Sequence, residues 1–232
     1  MSICVTADGF SVSIYNNIIG GRPLQHDVVR LHEGNVAHEL LEQALTRPRL
    51  TDYSFTQVEL VADTPATWLP LEDFRSSDVH ALYKLNFPRS ETKNSEEHYE
   101  IVPSLEAVVL FSLDEQIRET VVSLYPEAQL RSRQSLLLED ALEHVRHTRG
   151  NARQCHAYVE EDSLLLCIFQ QKKLLFVCSY EARYDADRLY YLLSAWKSLQ
   201  MDTTKDHCHL HGASDTLQVD VERFIKNTES ED

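Results

Sequence analysis

The chain has 232 residues, 43 % of them apolar, and sets 22 Lys plus Arg against 37 Asp plus Glu, a formal charge of −15. A chain of this length buries roughly 70 % of the surface its unfolded form exposes, so it can build a core without disulfides, and 6 Gly with 7 Pro are too few for collagen or a low-complexity linker. The acidic balance repels phosphate backbones and anionic lipid, which excludes sequence-independent binding to nucleic acid or to a membrane surface. No run reaches about 18 apolar residues, so no membrane insertion is expected. Met1-Ser2-Ile3-Cys4-Val5 lacks the basic and apolar regions of a secretory leader. The five cysteines, Cys4, Cys155, Cys167, Cys178 and Cys208, are odd in number and widely spaced. Three of them, Cys4, Cys167 and Cys178, lie in apolar runs, the pattern of buried thiols in a reducing cytoplasm.

In chain order, Ile3 to Tyr15 reads as a hairpin. Ile3, Val5 and Ala7 alternate, Asp8-Gly9 turns the chain, and Phe10, Val12 and Ile14 alternate again. Asn16 to Pro23 is a loop containing Gly20-Gly21, and Leu24 to Leu31 supplies a third strand. A helix follows, with Asn35 as N-cap, a stripe of Val36, Leu40, Leu41 and Ala44, and Pro48 as its end. Phe55 to Val61 alternates as a strand. Thr67 to Phe74 suggests a short helix, Asp78 to Asn86 another element, and Arg89 to Glu97 an exposed loop without apolar residues. Ala107 to Phe111 reads as a buried strand, Asp114 to Leu124 as a helix closed by Pro126, Ala128 to Arg133 as a strand, and Ser135 to His147 as a helix ending near Gly150.

The last third is patterned most clearly. Cys155, Ala157 and Val159 alternate with polar neighbours, and Glu161-Asp162 turns the chain. Leu164 to Phe169 and Leu174 to Cys178 are apolar on both faces, as strands in the middle of a covered sheet are. A helix capped by Asp185 carries Leu189, Leu192, Leu193, Trp196 and Leu199 on one face. His207 to His211 is a short strand, Asp215 to Asn227 a last helix, and Thr228 to Asp232 a frayed polar tail.

Strand, strand, strand, helix, strand, helix therefore occurs at both ends of the chain. This predicts a duplicated α/β unit with mixed sheets flanked by helices, the first repeat at 1–150 with an irregular insertion near 65–105, the second at 151–232. The duplicated order is similar to the ribonuclease H-like unit, two copies of which make the actin-like ATPase fold. The opening strand-Asp8-Gly9-strand, the run Val108-Val109-Leu110-Phe111-Ser112-Leu113-Asp114-Glu115, and Asp187-Arg188-Leu189-Tyr190-Tyr191-Leu192-Leu193-Ser194-Ala195-Trp196-Lys197 resemble an uncharacterised Bacteroidetes family with this fold, over nearly the whole chain. The resemblance implies the fold but no activity. Wider relatives of the fold include actin, sugar kinases, heat-shock ATPases and cytoplasmic scaffold proteins of division, pilus and secretion machines.

Such ATPases usually hold phosphates in two hairpin turns carrying Asp-x-Gly and small hydroxyl residues. Here the first turn reads Ala7-Asp8-Gly9-Phe10-Ser11, with Asp8 and Gly9 adjacent and Phe10 where a small residue is wanted. The second reads Glu160-Glu161-Asp162-Ser163, three acids and no glycine, which would repel a triphosphate. His211-Gly212-Ala213 is half of the usual adenosine-side glycine pair. Asp8, Gly9, Ser11, Glu161, Asp162 and Gly212 are thus degenerate phosphate and adenosine positions. A ribonuclease H-type nuclease needs several carboxylates around two metals, for which Asp8 alone stands well placed. His207, His209 and His211 share one face of their strand and could ligate zinc, or could be the polar outer face of an edge strand or histidines bonded at a repeat interface. No nucleophile elbow is present, and no cysteine has an electropositive setting. Arg131-Ser132-Arg133 and His144 to Arg153, with Arg146 and Arg149, are either helix-end charges or a patch for an acidic partner.

The sequence thus points to a non-catalytic, cytoplasmic interaction or scaffold module without cofactor, binding a protein partner or itself. The alternative is a nucleotide-binding protein or weak ATPase that takes ATP with Mg in an inter-repeat cleft lined by Asp8, Ser11 and Gly212.

Overall fold

The computed structural model describes residues 1–16, 22–32, 34–88, 94–148 and 150–231. The expected Gly20-Gly21 loop and Arg149 lie outside them. The chain divides into two compact units, residues 1–102 with 107–136, and residues 103–106 with 137–232.

In the first unit, β1 (Ser2–Thr6), β2 (Gly9–Ile14) and β3 (Gln25–Arg30) form an antiparallel meander. Helices α1 (Ala37–Leu45) and α2 (Pro48–Thr51) lead to β4 (Glu59–Ala62), which pairs parallel to β1. An inserted antiparallel sheet follows, built from β5 (Ala66–Pro70), β6 (Ser95–Val102) and β7 (Ala107–Asp114) in the order β5-β7-β6, with α3 (Val79–Asn86) against it. Val79 and Tyr83 of α3 pack on Val108 and Leu110, and the Tyr83 hydroxyl bonds Ser112 Oγ at 3.0 Å. Helix α4 (Glu115–Leu124) begins where Asp114 accepts the N–H groups of Gln116 and Ile117, and it packs on α1. The chain then returns to the main sheet as β8 (Gln129–Ser132), giving the order β3-β2-β1-β4-β8.

Helix α5 (Arg133–His147) precedes the second meander, β9 (Arg153–Val159), β10 (Ser163–Gln170) and β11 (Lys173–Glu181). Helix α6 (Asp185–Ser198), β12 (His207–His211), α7 (Asp215–Glu222) and β13 (Asn227–Glu231) complete the order β11-β10-β9-β12-β13. The two sheets therefore have the same strand order and the same parallel and antiparallel pairings, as the duplicated reading expects. Cys155, Ala157, Leu166, Ile168 and Leu210 meet Leu192, Trp196, Leu217 and Val221 of α6 and α7 in one core. The opposite face is closed too: Gln154, His156 and Tyr158 are buried, and the Tyr158 hydroxyl donates to the Leu137 carbonyl of α5 at 2.9 Å.

Several local expectations change. Thr6 pairs with Gly9, so the first turn is Ala7-Asp8 and Gly9 opens β2. Neither turn residue has a positive φ, so the glycine serves another purpose there. Asn35 does not cap α1; its Oδ1 accepts the His32 N–H at 2.8 Å, and Val36 holds the cap position. Pro48 opens α2 rather than ending α1, since a first-turn residue needs no N–H partner. Thr67 to Phe74 is helical only as the 3-10 turn Leu71–Asp73; Ala66–Pro70 instead pairs with β7, whose fully buried face demands a second strand. Ser95 to Glu97 belongs to β6 rather than to a loop, because β7 satisfies its backbone and Lys84 and His80 meet Glu97; positions 89–93 lie outside the described residues. Leu174 to Cys178 forms a sheet edge, not a centre, and is only half-buried. Asp185 is no cap, as its carboxylate turns to Ser214 and Arg188. The last helix stops at Glu222, and the tail is the strand β13, parallel to β12 and anchored by Asn227 Nδ2 on the Thr204 carbonyl at 3.1 Å. None of the five cysteines forms a disulfide; Cys155, Cys167 and Cys208 are buried, while Cys4 and Cys178 are half-buried.

Candidate functional site

The two hairpin turns and the segment after β12 are the positions that phosphate chemistry would need. In the first turn, Asp8 is exposed and Thr6 Oγ1 donates to its Oδ1 at 2.7 Å, a bond that holds the carboxyl below its ordinary pKa. The Asp8 carbonyl accepts the Leu31 N–H at 2.8 Å, tying the turn to the end of β3. A Cβ on Gly9 would stand 2.2 Å from the Val29 carbonyl oxygen. The glycine is thus required by the closeness of two strands, whatever the turn binds. Ser11 lies within β2, with Cys4 and Val28 as its strand partners, and is not a turn residue. Phe10 is a core side chain.

The second turn is held from inside. Arg188, in the first turns of α6 and with a side chain only 11 % exposed, sends Nη2 to the carbonyls of Glu160 (2.6 Å) and Glu161 (2.8 Å). Its Nε reaches the Ala182 carbonyl at 3.0 Å and its Nη1 the Asp185 carboxylate at 2.8 Å. Asp185 is held further by the Ser214 hydroxyl at 2.6 Å, and these two partners lower its pKa, the hydroxyl most. Arg183 takes both carboxylate oxygens of Asp162, at 2.7 and 3.1 Å, and keeps that carboxyl ionised to lower pH. Gly212 has φ +68°, and a Cβ there would come within 2.9 Å of the Val159 carbonyl, so the strand end after β12 lies close against the hairpin. Glu161, Asp162 and Gly212 are therefore neighbours within the second unit, whereas Asp8, Gly9 and Ser11 belong to the first. Chemically, the second turn offers carbonyl oxygens to a guanidinium. A phosphate cradle offers N–H groups. Asp185 reads from sequence as a helix cap, and Arg183, Arg188 and Ser214 as ordinary polar positions in or just before helices; only the pairing of hairpin and α6 gives them a role in the turn.

The three histidines of β12 do share a face, but β12 is an interior strand between β9 and β13, not an edge. Their rings stack with two from β9. His207 and His209 lie 6.4 Å apart, His209 and His156 4.6 Å, His156 and His211 5.3 Å, and His211 and Tyr158 4.3 Å. His144 of α5 closes over the stack at 4.6 Å from His209 and 5.3 Å from His156. The ring nitrogens turn to separate partners rather than to a common point. His156 Nδ1 meets His211 Nε2 at 3.1 Å, His209 Nε2 meets Gln154 Oε1 at 2.8 Å, and His209 Nδ1 lies 3.5 Å from Glu229. Among the described residues no group of three His, Cys, Asp or Glu side chains is arranged to hold a metal ion, and the zinc expectation at His207, His209 and His211 finds no geometry. His156 is fully buried, and burial, then the neighbouring His209, His211 and His144, push its pKa down to about 2. The buried His156 ring is thus held neutral in the middle of the stack.

Among the described residues, the arginines of the basic stretches meet partners within the chain. Glu100 accepts Arg131 Nε (2.6 Å), the Ser132 N–H (2.8 Å) and the Ser135 hydroxyl (2.6 Å), which satisfies the start of α5. Arg133 faces Asp63 at 3.3 Å, Arg146 pairs with Glu143 at 2.9 Å, and Arg153 donates to the Leu199 carbonyl.

Two sheets of the same order, each a meander extended by parallel strands across helices, define a protein of the actin-like ATPase fold. The chain is similar to a Bacteroides thetaiotaomicron protein with actin-like ATPase fold and unknown function, at 27 % identity and a TM-score of 0.83, over 99 % of this chain and 89 % of that one. A second solved structure, the PilM-PilN type IV pilus biogenesis complex, matches in fold alone, with 9 % identity, a TM-score of 0.51, and coverage of 99 % and 87 %. Residues 1–228 match the family described as protein of unknown function (DUF3822), and the chain belongs to that family. No curated protein matches the sequence. Among the described residues no helix is long and apolar enough to cross a membrane.

Proposed function

We propose that this chain is a non-catalytic module of its fold that works by binding a protein partner or a second copy of itself. The observation that carries the reading is Arg188: the second turn directs its carbonyls to the chain's own guanidinium, so the groups that would meet a phosphate have the wrong polarity. The exposed acids Glu161 and Asp162 add repulsion, and Asp162 has both oxygens on Arg183 rather than available to Mg. The fold relative PilM, found in a complex with PilN, is a precedent for a fold relative in partner binding. Five cysteines outside any disulfide fit a reducing cytoplasm.

The test is thermal denaturation with and without millimolar Mg-ATP. A ligand at 100 times its Kd adds about 2.7 kcal/mol of stability. The expected result is an unchanged Tm and no phosphate release. A reproducible Mg-dependent rise in Tm with ATP overturns the reading in favour of a nucleotide-binding protein.

A further inference from the structure

The first unit carries a half-open cavity of about 890 Å³ that neither hairpin turn contributes to. It lies where β1 and β4 begin, β2 ends and β3 begins. Its apolar wall is made by Ile14, Leu24, Tyr15, Tyr53 and Phe55. Leu24 and Tyr53 stand 65 % and 61 % exposed, and both border this one concavity. Tyr53 and Phe55 are 6.2 Å apart and Phe55 meets Tyr125 edge-on at 6.2 Å, so Phe55 is held while Tyr53 projects.

The polar wall narrows the ligand class. Among the described residues it holds carboxamides and hydroxyls, one carboxylate, Glu59, and no Lys or Arg. The Met1 amine is engaged by the Gln57 carbonyl at 2.8 Å. The Met1 ammonium is then the one cation at the wall among the described residues, with Glu59 as its neighbouring carboxylate, and no Lys or Arg side chain stands beside it for a phosphate or carboxylate, which argues against nucleotides and acidic metabolites. Amides do have partners. Gln25 and Gln57 already bond carboxylates through Nε2, Asp27 at 2.6 Å and Glu59 at 3.0 Å, which fixes the two carboxamides in place. The cavity is also continuous with an open strand edge: Gln25 lines it and begins β3, which among the described residues has β2 as its strand neighbour on one side and none on the other. Val28, 62 % exposed, extends the apolar side of β3 away from Leu24.

We infer that this cavity is the docking site of the module, and that its occupant is an extended segment of a partner protein. An aromatic or branched aliphatic side chain sits between Tyr15, Tyr53 and Phe55, and the segment's main chain runs from the carboxamides onto the open edge of β3. The inference rests on the interaction-module reading above and gives it a site and a partner chemistry. Large rings in a concavity of this size are the usual anchors of such contacts.

The experiment is panning of the full chain against a displayed library of random 12-residue peptides, followed by affinity measurement of the enriched sequences. The expected result is enrichment of peptides with one aromatic or branched anchor, weakened about tenfold or more by Tyr53→Ala and by Leu24→Ala. Both residues are exposed, so both variants should keep the parent Tm. Tyr184→Ala, which removes an exposed ring of the second unit, should leave affinity unchanged. No enrichment, or equal affinity for the Tyr53→Ala chain, overturns the assignment. Binding of N-acetyl-tyrosine amide as tight as that of the peptides also overturns it, in favour of a small ligand. Peptides that bind but ignore the cavity variants leave the interaction-module reading standing, whereas a Tm rise with Mg-ATP removes that reading by a separate measurement.

Discussion

His156 makes the second unit acid-labile in a way that can be calculated. The folded imidazole stays neutral down to about pH 2, whereas in the unfolded chain it takes a proton near its ordinary value of 6.5. Below pH 6.5 the unfolded state therefore binds the extra proton, and the stability this group contributes is present above 6.5 and lost as pH falls. At pH 5 the group is 1.5 units below 6.5, which at 1.36 kcal/mol per unit is a loss of about 2 kcal/mol. The control is His156→Phe, which keeps a ring in the stack beside His209 and His211 but cannot titrate. It gives up the bond to His211, a loss of about 1 kcal/mol that does not depend on the proton on His156. Urea denaturation at pH 7 and pH 5, followed by the fluorescence of buried Trp196 in a Trp68→Phe background, reads the second unit alone. His98, also lowered by burial, loses stability with acid in the same direction in both chains and cancels in the difference. The parent should lose about 2 kcal/mol more than His156→Phe between the two pH values. Equal losses would refute the buried neutral imidazole.

Three further substitutions test the geometry of the turns and of α5. Arg188→Met removes the cation that four groups share and leaves the Glu160 and Glu161 carbonyls without it; we expect a loss of about 3 kcal/mol, read as a lower urea midpoint for Trp196. Gly9→Ala forces a methyl against the Val29 carbonyl and should cost about 2 kcal/mol or more in thermal denaturation, with or without Mg-ATP. Glu100→Gln leaves the Arg131 charge half-buried beside a neutral amide, and should lower the Tm by the equivalent of about 3 kcal/mol.

The sequence carries the main-sheet strands well, because alternation and two-faced apolar runs report burial directly. In β10, Leu164, Leu166 and Ile168 face one core while Leu165, Cys167 and Phe169 are buried on the other side, so the unbroken apolar run and the two covered faces agree. Strands whose stability comes from a neighbour are silent. β13 has no apolar residue and exists because β12 presents a backbone edge and Asn227 anchors its start. β6 is read as a loop at Ser95 to Glu97 because that stretch has no apolar residue of its own and takes its order from the buried β7 beside it. The same logic hides the site. His156 and His209 are far apart in sequence and meet only through the parallel register of β9 and β12, and Arg188 looks like an ordinary polar position of α6 until the hairpin carbonyls lie against it.

Glycine at a phosphate position is commonly taken as a relic of phosphate binding, and in this chain that inference does not hold for either glycine. Gly9 is fixed by a strand that passes within 2.2 Å of where its Cβ would be, and Gly212 by a positive φ and by the Val159 carbonyl. Both constraints come from closing the fold, so both persist with no nucleotide at all. What distinguishes a phosphate site is the direction of the dipoles around it. In the second turn that direction is reversed: carbonyls converge on Arg188, and removing the guanidinium would uncover oxygens, not donors. On the non-catalytic reading proposed above, Arg188→Met should fail to create Mg-ATP binding even where the second unit still folds, because a phosphate would need a different turn conformation as well as new side chains.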